Sequence, residues 1–310
     1  MNKLFSEKEM LKDALKNKYA IGAFNFSSIE MMRAIVDGCQ NQKSPVILAL
    51  SEGGLKYADP EYIMQVVKAV LKETTIPVAL HLDHGKNFEI VKKCIDYGFN
   101  SVMIDGSYLP FEENVSITQE VVKYAHKKSV SVEGELGVLA GVEDDVKADK
   151  HQYTDPMQAL EFVERTKVDS LAIAIGTSHG AFKFKGEPTL KFDILKEVNK
   201  LLPELPIVLH GASNVPQQYI DIINKYGGDI QGSKGVTEEL ISKASKLAVC
   251  KVNNDTDLRM CFTASMREFL ATHPEEFTPR KYLQYAKDNV RELVEYKVKK
   301  VFHSANKLVQ

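Results

Sequence analysis

The chain has 310 residues, of which 44% are hydrophobic and 26% are charged, and its formal net charge is -2. This length allows a large buried core and lies at the upper end for one domain, where α/β barrels are common. The near-neutral charge argues against nucleic acid or an anionic membrane surface as the main partner. Any anionic ligand must therefore be recognised locally.

The first 19 residues, MNKLFSEKEMLKDALKNKY, have the pattern of an amphipathic helix with charges of both signs. They lack the apolar core of a signal peptide, and no later stretch is long and apolar enough to span a bilayer. The four cysteines, Cys39, Cys94, Cys250 and Cys261, are widely spaced and form no CxxC pair. We therefore expect buried, reduced thiols in a cytoplasmic protein rather than disulfides or a cysteine zinc site.

Short apolar runs alternate with segments of helical periodicity along most of the chain. Eight such runs predict parallel strands buried on both faces, at 21–26 (IGAFNF), 45–50 (PVILAL), 77–82 (PVALHL), 100–105 (NSVMID), 129–134 (SVSVEG), 169–176 (DSLAIAIG), 206–211 (PIVLHG) and 248–255 (AVCKVNND). The alternation predicts a (β/α)8 TIM barrel with extra helices at both termini. An open doubly wound sheet is the main rival, but no strand is followed by a G-x-G-x-x-G turn. We find no linker, so we expect one domain over residues 1–310.

Two helices between these strands carry recognisable end signals. Ser27 with Glu30 has the pattern of a capping box at the start of the first helix after a strand. Asn87 predicts the start of another helix, and Gly98 predicts its end.

The carboxyl ends of barrel strands meet at one rim, where the chemistry of such folds takes place. Every predicted strand ends in or beside a polar side chain. These side chains are Asn25, Ser51, Asp83 with His84, Asp105, Glu133 with Glu135, His179, His210, and Asn253 with Asp255. Eight converging polar ends predict an active site at this rim.

Three of the eight histidines, His84, His179 and His210, precede a glycine at or just past a predicted strand end. Glycine lets the backbone turn sharply and lets a ligand approach closely. Each histidine alone would be more typical of a hydrogen-bonded structural residue, but the shared context favours a metal site. Three neutral imidazoles with an open position are one arrangement of catalytic zinc, and they can equally hold cobalt or iron. Such an ion would polarise a carbonyl as a Lewis acid.

Carboxylates of the same rim have two interpretations each. Asp83 is the natural proton-transfer group, or else a carboxylate that only orients a histidine. Asp105, Glu133 and Glu135 fit a role in the active site and, equally well, an internal polar layer paired with lysine or backbone. Lys251 is the only lysine within a predicted strand, and it either forms a Schiff base in a metal-free aldolase or pairs with a rim carboxylate.

Two neighbouring segments predict a phosphate site. HGASN (210–214) follows the seventh strand and NNDTD (253–257) follows the eighth, where barrels often bind phosphate through loop amides and a helix start. The groups available there belong to Gly211, Ala212, Ser213, Asn254, Asp255 and Thr256. Either segment alone would be typical of a surface loop.

Seven motifs, in order and over almost the full length, resemble the class II, metal-dependent fructose-bisphosphate aldolases, most closely their shorter bacterial and protist subgroup. The motifs are GAFNF, HLDHG, SVMIDGS, VEGELG, GTSHGAFKFKGEP, LHGASN and KVNNDTDLR, with SANK near the C terminus. The resemblance implies reversible cleavage of fructose 1,6-bisphosphate to dihydroxyacetone phosphate and glyceraldehyde 3-phosphate, through a zinc-stabilised enediolate, in glycolysis and gluconeogenesis. It also implies a cytoplasmic homodimer or homotetramer.

The resemblance also assigns roles around the metal. His84, His179 and His210 would hold the catalytic zinc, and Asp83 would handle the proton of the hydroxyl released on cleavage. A second divalent ion would lie at Asp105 and Glu135, and a monovalent cation such as Na⁺ or K⁺ is a further expectation.

A polar segment, LAGVEDDVKADKHQYTDP (139–156), is long enough to be a mobile loop over the barrel mouth, although such a charge run is also typical of solvated surface. By the resemblance, Glu143 on this loop would exchange the proton at the nucleophilic carbon.

The remaining assignments concern the substrate. Contacts at the rim are expected from Asn25, Ser51 and Asn253, and contacts to the triose phosphate from Gly180 and Lys183, besides the two phosphate segments. Arg259 and Arg280 would reach the distal phosphate, at least one of them across a subunit interface, with helix-surface ion pairing as the alternative.

Tagatose-bisphosphate aldolases have a similar zinc site but tend to lack these arginines, so their activity is the nearest alternative. A catalytically inactive barrel that acts as a binding protein is the alternative of another class.

Overall fold

Eight parallel strands close into a barrel in the computed structural model, which describes residues 4–138, 141–143, 146–148, 152–178, 189–232 and 234–308. The strands are β1 (Ile21–Asn25), β2 (Val46–Leu50), β3 (Val78–Gly85), β4 (Ser101–Ile104), β5 (Ser131–Leu136), β6 (Gly141–Glu143), β7 (Val146–Ala148), β8 (Ser170–Ile173), β9 (Ile207–Leu209) and β10 (Val249–Asn254). The order around the barrel is β1-β10-β9-β8-β5-β4-β3-β2, and β6 pairs with β7 in a separate antiparallel hairpin. The predicted (β/α)8 barrel is confirmed.

Helices follow the barrel strands and form its outer layer. They are α1 (Glu7–Asn17), α2 (Ile29–Asn41), α3 (Glu52–Ala58), α4 (Pro60–Glu73), α5 (Phe88–Tyr97), α6 (Phe111–His126), α7 (Pro156–Thr166), α8 (Phe192–Leu201), α9 (Gln217–Lys225), α10 (Glu238–Leu247), α11 (Thr256–Thr272) and α12 (Pro279–Tyr296), and α12 continues into a π-helical segment, Lys297–Val301. None of these helices is long and apolar enough to cross a membrane.

The barrel strands are buried along almost their whole length, with His84 of β3 partly exposed, which explains their near-continuous apolar sequences. Every residue of β1 and β2 is buried, because the barrel interior covers one face and the helices cover the other. At the amino end of the barrel, α1 packs Met10 and Leu11 against Ile21, Ile47 and Ala79. The N-terminal helix therefore closes the barrel opposite the predicted active-site rim.

The C-terminal elements lie on the outside of the barrel. Helix α12 packs against α2 and α11, and the π-helical segment contacts α10 and β1. Phe302, which follows this segment, is fully buried, with its ring 6.0 Å from that of Phe24. The π-helical segment and Phe302 thus pack against the barrel wall.

The helix-end predictions had mixed outcomes. Asn87 caps α5 by accepting from the Ile90 amide, and Gly98, with φ of 106°, ends it, as predicted. The Ser27 capping box is wrong: α2 is capped by Ser28, whose hydroxyl accepts from the Met31 amide at 3.2 Å. Because the helix begins one residue later, Glu30 is too early to complete a box.

Two further sequence expectations can be compared with the structure. Segment 139–156, predicted as a loop, contains the hairpin of β6 and β7. All four cysteines are buried and free, as expected.

Candidate active site

Two histidines and an aspartate meet at the carboxyl rim. Asp83 and His84 are among the last three residues of β3, and His210 directly follows β9. The Nε2 atom of His84 lies 2.9 Å from Nδ1 of His210 and 4.0 Å from Oδ1 of Asp83. The ligand atoms of these three residues lie within 4.8 Å of one another, so the group can hold a metal ion.

Carboxylates behind the two histidines fix the direction of their lone pairs. Nδ1 of His84 donates to Asp105 at 2.9 Å, and Nε2 of His210 donates to Glu133 at 2.6 Å. In neutral rings the remaining nitrogens, His84 Nε2 and His210 Nδ1, are then both acceptors, and these are the two atoms that face each other. Two lone pairs at this distance repel unless a cation or a proton lies between them. The donor set therefore fits a divalent cation with imidazole ligands held by carboxylates.

Charge effects at His210 favour the neutral ring that a metal requires. Its pKa is lowered, first by burial and then by His84, although Glu133 and Asp83 oppose the shift. Glu133 is charged, because Lys251 and His210 lower the pKa of its carboxyl despite burial, which raises it.

Two of the histidine–glycine pairs are described, and their glycines have different functions: one allows close packing and the other forms a turn. His84 itself has φ of 48°, in the left-handed region that non-glycine residues rarely adopt. A Cβ at Gly85 would lie 2.7 Å from the Met103 carbonyl oxygen, so this glycine lets β3 approach β4. In the second pair it is the glycine, Gly211, that has positive φ, at 60°. The sharp turn predicted at the glycines is found at Gly211, whereas in the first pair the positive φ belongs to His84; Gly180 lies outside the described residues.

A second group able to hold a metal shares His84. It consists of His84, Asp105 and Glu135, with Nδ1 of the histidine 3.8 Å from Oε2 of Glu135. Burial raises the pKa of Asp105, but hydrogen bonds from His84 and Ser107 outweigh it and lower the pKa to about 2. Asp105 is thus a charged carboxylate that orients His84 and can also serve a cation.

Asp83 is held at the rim by two amides. Asn25 donates to one of its oxygens and Asn253 to the other, each at 2.8 Å. The carbonyl oxygens of both asparagines are buried and have no hydrogen-bond partner among the described residues. They are acceptors available to hydroxyl groups of a ligand, because their amide nitrogens are committed to Asp83.

A buried polar network lies behind the rim. Lys251 donates to Glu133 at 2.7 Å and to Nε2 of His81 at 3.0 Å, and Nδ1 of that ring faces Ser101 and Glu7. The pairing of Lys251 with a carboxylate is as predicted. Burial lowers the pKa of Lys251, but Glu133, Glu7 and Asp83 together raise it. This amine stays charged, whereas a Schiff-base lysine must be neutral.

The two predicted phosphate segments are joined by a residue that the sequence did not single out. Asp257 accepts from the amides of Asn214 and Val215, at 3.0 and 2.7 Å, and from the side chain of Asn254 at 3.1 Å. The loop after β9 therefore lies beside the start of α11, as expected. The side-chain nitrogen of Asn254 supports this junction through one of its two N–H groups.

Among the described residues, neither arginine contacts the two metal-capable groups. Arg259 has a side chain 66% exposed and pairs at 2.9 Å with Asp255, the residue that precedes α11. Arg280 is exposed at the start of α12. Surface ion pairing, the alternative interpretation, thus holds for Arg259 in this structure.

Ser51 lies at the end of β2, where its hydroxyl caps α3 by accepting from Gly54.

Several predicted site residues lie outside the described residues. They are His179, Gly180 and Lys183, and for Glu143 only the backbone of β6 is described. The third histidine ligand and the loop glutamate therefore stay predictions.

Sequence reasoning missed Asp257, Glu7 and the role of His81. Asp257 is within the NNDTD motif, which predicts a phosphate site. The motif does not predict that Asp257 joins the loop after β9 to the start of α11. Glu7 is one acidic residue among several on α1, and nothing in its neighbourhood predicts burial.

The geometry defines a class first: a (β/α)8 barrel with a candidate divalent-metal centre at its carboxyl rim. The chain matches the family model "Fructose-bisphosphate aldolase class-II" over residues 6–307. It is 47% identical over 323 residues to the fructose-bisphosphate aldolase of Treponema pallidum, which covers 98% of this chain and 97% of that protein. It is 48% identical over 295 residues to that of Giardia intestinalis, covering 94% and 91%.

A solved structure agrees with this assignment. The YdjI aldolase of Escherichia coli K12 matches with a TM-score of 0.79 at 30% identity, covering 98% of this chain and 99% of that one. The chain belongs to the class-II fructose-bisphosphate aldolase family. This family is metal-dependent in general and acts on sugar phosphates, which agrees with the two metal-capable groups at the rim.

Proposed function

We propose that this enzyme reversibly cleaves fructose 1,6-bisphosphate to dihydroxyacetone phosphate and glyceraldehyde 3-phosphate. The observation that carries the proposal is the convergence of two imidazole lone pairs, on His84 Nε2 and His210 Nδ1, beside the carboxylate of Asp83. We propose zinc as the metal and His179 as its third ligand. Asp105 and Glu135 would hold a second divalent ion, and a monovalent cation would accompany the substrate phosphate.

The chemistry follows from the groups at the rim. A divalent cation bound here supplies a Lewis acid that polarises the substrate carbonyl and stabilises negative charge on its oxygen. Asp83 takes the proton of the substrate hydroxyl as the carbon–carbon bond breaks, using lone pairs not committed to Asn25 and Asn253. Glu143 then returns a proton to the nucleophilic carbon, which completes dihydroxyacetone phosphate.

Substrate contacts are assigned around this centre. Asn25 and Asn253 accept from substrate hydroxyls through their carbonyl oxygens, which have no hydrogen-bond partner in the described part of the chain, and Ser51 contributes at the end of β2. The triose phosphate is bound by Gly180, Lys183 and the segments 211–213 and 254–256. Arg259 and Arg280 bind the distal phosphate. To do so, Arg259 releases its ion pair with Asp255 and pairs with the phosphate instead. We further propose a single domain over residues 1–310 and a cytoplasmic homodimer or homotetramer in glycolysis and gluconeogenesis.

Steady-state cleavage of fructose and tagatose 1,6-bisphosphates by the metal-loaded enzyme tests this proposal. We expect the higher kcat/KM for the fructose isomer. A preference for the tagatose isomer would favour the related activity, and failure to cleave either would favour an inactive barrel.

A further inference from the structure

A buried ion pair lies outside the metal groups and behind the phosphate segments. Nζ of Lys297 is 2.6 Å from Oδ2 of Asp257, and both side chains are 0% exposed. Lys297 is the first residue of the π-helical segment Lys297–Val301, and Oε1 of Glu238 lies 3.5 Å from the same ammonium group. Charged residues are almost never fully buried without a specific partner, so this pair needs an explanation.

The carboxylate of this pair connects the two halves of the proposed phosphate site. Asp257 is the second residue of α11, and its oxygens accept from two backbone amides of the loop after β9 and from Asn254 at the end of β10. The spacing between the loop and the helix start therefore depends on where this one carboxylate lies.

The loop that Asp257 holds is strained. Val215 has φ of 56°, in the left-handed region where a β-branched residue is a genuine outlier. Its amide donates to Oδ1 of Asp257 at 2.7 Å, which keeps the residue in that conformation. A loop in a strained conformation persists only while its surroundings fix it.

The negative charge of Asp257 would oppose the binding of the triose phosphate. Burial raises its pKa, but Lys297 and the amide donors outweigh burial and lower it, so the carboxylate is ionised. An ionised carboxylate beside a phosphate site repels the phosphate, and the repulsion is strong where water is excluded. A cation placed behind the carboxylate cancels this field without occupying the site.

We propose that Lys297 is a positioning residue of the phosphate site: it fixes Asp257, which holds the loop 211–215 against the start of α11, and it neutralises the charge that Asp257 would otherwise present to the phosphate. The inference rests on the proposed function, because it assumes that these two segments bind the triose phosphate.

The first experiment replaces the cation in the metal-loaded enzyme. Lys297→Met should raise the KM for fructose 1,6-bisphosphate and the inhibition constant of inorganic phosphate by roughly tenfold or more, the worth of a charge-assisted contact. Metal content should not change, and kcat should fall less than KM rises. Lys300→Met is the matched control, since Lys300 is an exposed lysine of the same segment, and it should behave as the unmodified enzyme.

A second comparison separates action through Asp257 from simple support of the fold, and it remains available if Lys297→Met does not fold. In an Asp257→Asn enzyme, where the buried charge is gone, adding Lys297→Met should change the phosphate inhibition constant by less than about twofold. A tenfold further loss in that background, or equal inhibition constants in Lys297→Met and the unmodified enzyme, would overturn the inference. If phosphate does not compete with substrate in the unmodified enzyme, the proposed phosphate site itself is wrong.

Discussion

The two imidazoles at the rim owe their orientation to carboxylates that lie behind them. Asp105 and Glu133 each accept from one ring nitrogen, which leaves His84 Nε2 and His210 Nδ1 to face a common point. Glu133 is in turn paired with Lys251, so its charge is balanced inside the barrel. The candidate metal centre is therefore oriented by carboxylates that lie behind its imidazoles.

Asp83 and Asp105 should give different phenotypes although both lie beside His84. Asp83→Ala should retain the metal and lose turnover by roughly 10²–10⁴-fold, the usual contribution of a positioned acid–base group. Asp105→Ala should instead lower metal affinity by roughly 10–100-fold, because it removes the group that orients a ligand. Metal content and kcat, measured on both variants, check this. Loss of metal in Asp83→Ala would mean that Asp83 supports the ligands and is not the proton acceptor.

Side chains with a local signal could be found from the sequence, and those defined by distant partners could not. His84, His210 and Asp83 stand at strand ends, so the barrel periodicity placed them at one rim. Asp257 and Lys297 are 40 positions apart; Asp257 lies in the NNDTD motif, but nothing in the context of Lys297 distinguishes it from a surface residue. Their pairing depends on the path of the C-terminal segment, which no local pattern encodes.

At the scale of elements, strands were easier to predict than helix ends. The barrel strands are buried on both faces, so their apolar runs are continuous and unambiguous. The β6–β7 hairpin was missed because its polar, acidic sequence shows no alternation. The start of α2 was placed one residue early, since two adjacent serines offer the same side chain for capping.

Because Ser27 and Ser28 are adjacent, the cap of α2 can be tested directly. Ser28→Ala should destabilise the protein by about 1 kcal/mol, because it removes the acceptor for the Met31 amide. Ser27→Ala is the matched control and should cost no more than a few tenths of a kcal/mol, since Ser27 is exposed and its hydroxyl donates to the Met31 sulfur, a weak acceptor. The midpoint of urea unfolding measures both. A larger loss for Ser27→Ala would mean that the helix begins one residue earlier.

Across the whole molecule, both terminal regions contribute to the interior. Helix α1 closes the amino end of the barrel and brings Glu7 to within 3.2 Å of His81, the far end of the network that reaches His210. The C-terminal segment brings Lys297 to Asp257 from the outside. The rim therefore depends on contacts from the beginning and the end of the chain as well as on the strands that form it.

The most direct test of the account is cleavage of fructose 1,6-bisphosphate before and after removal of metal by a chelator. Activity should be lost on chelation and restored by zinc or cobalt, because in the proposed mechanism the histidines at the rim act through a bound cation. Borohydride added during turnover should leave Lys251 unmodified, since its amine is held charged by Glu133. Full activity in the metal-free protein, or a reduced adduct on Lys251, would contradict the metal-dependent mechanism.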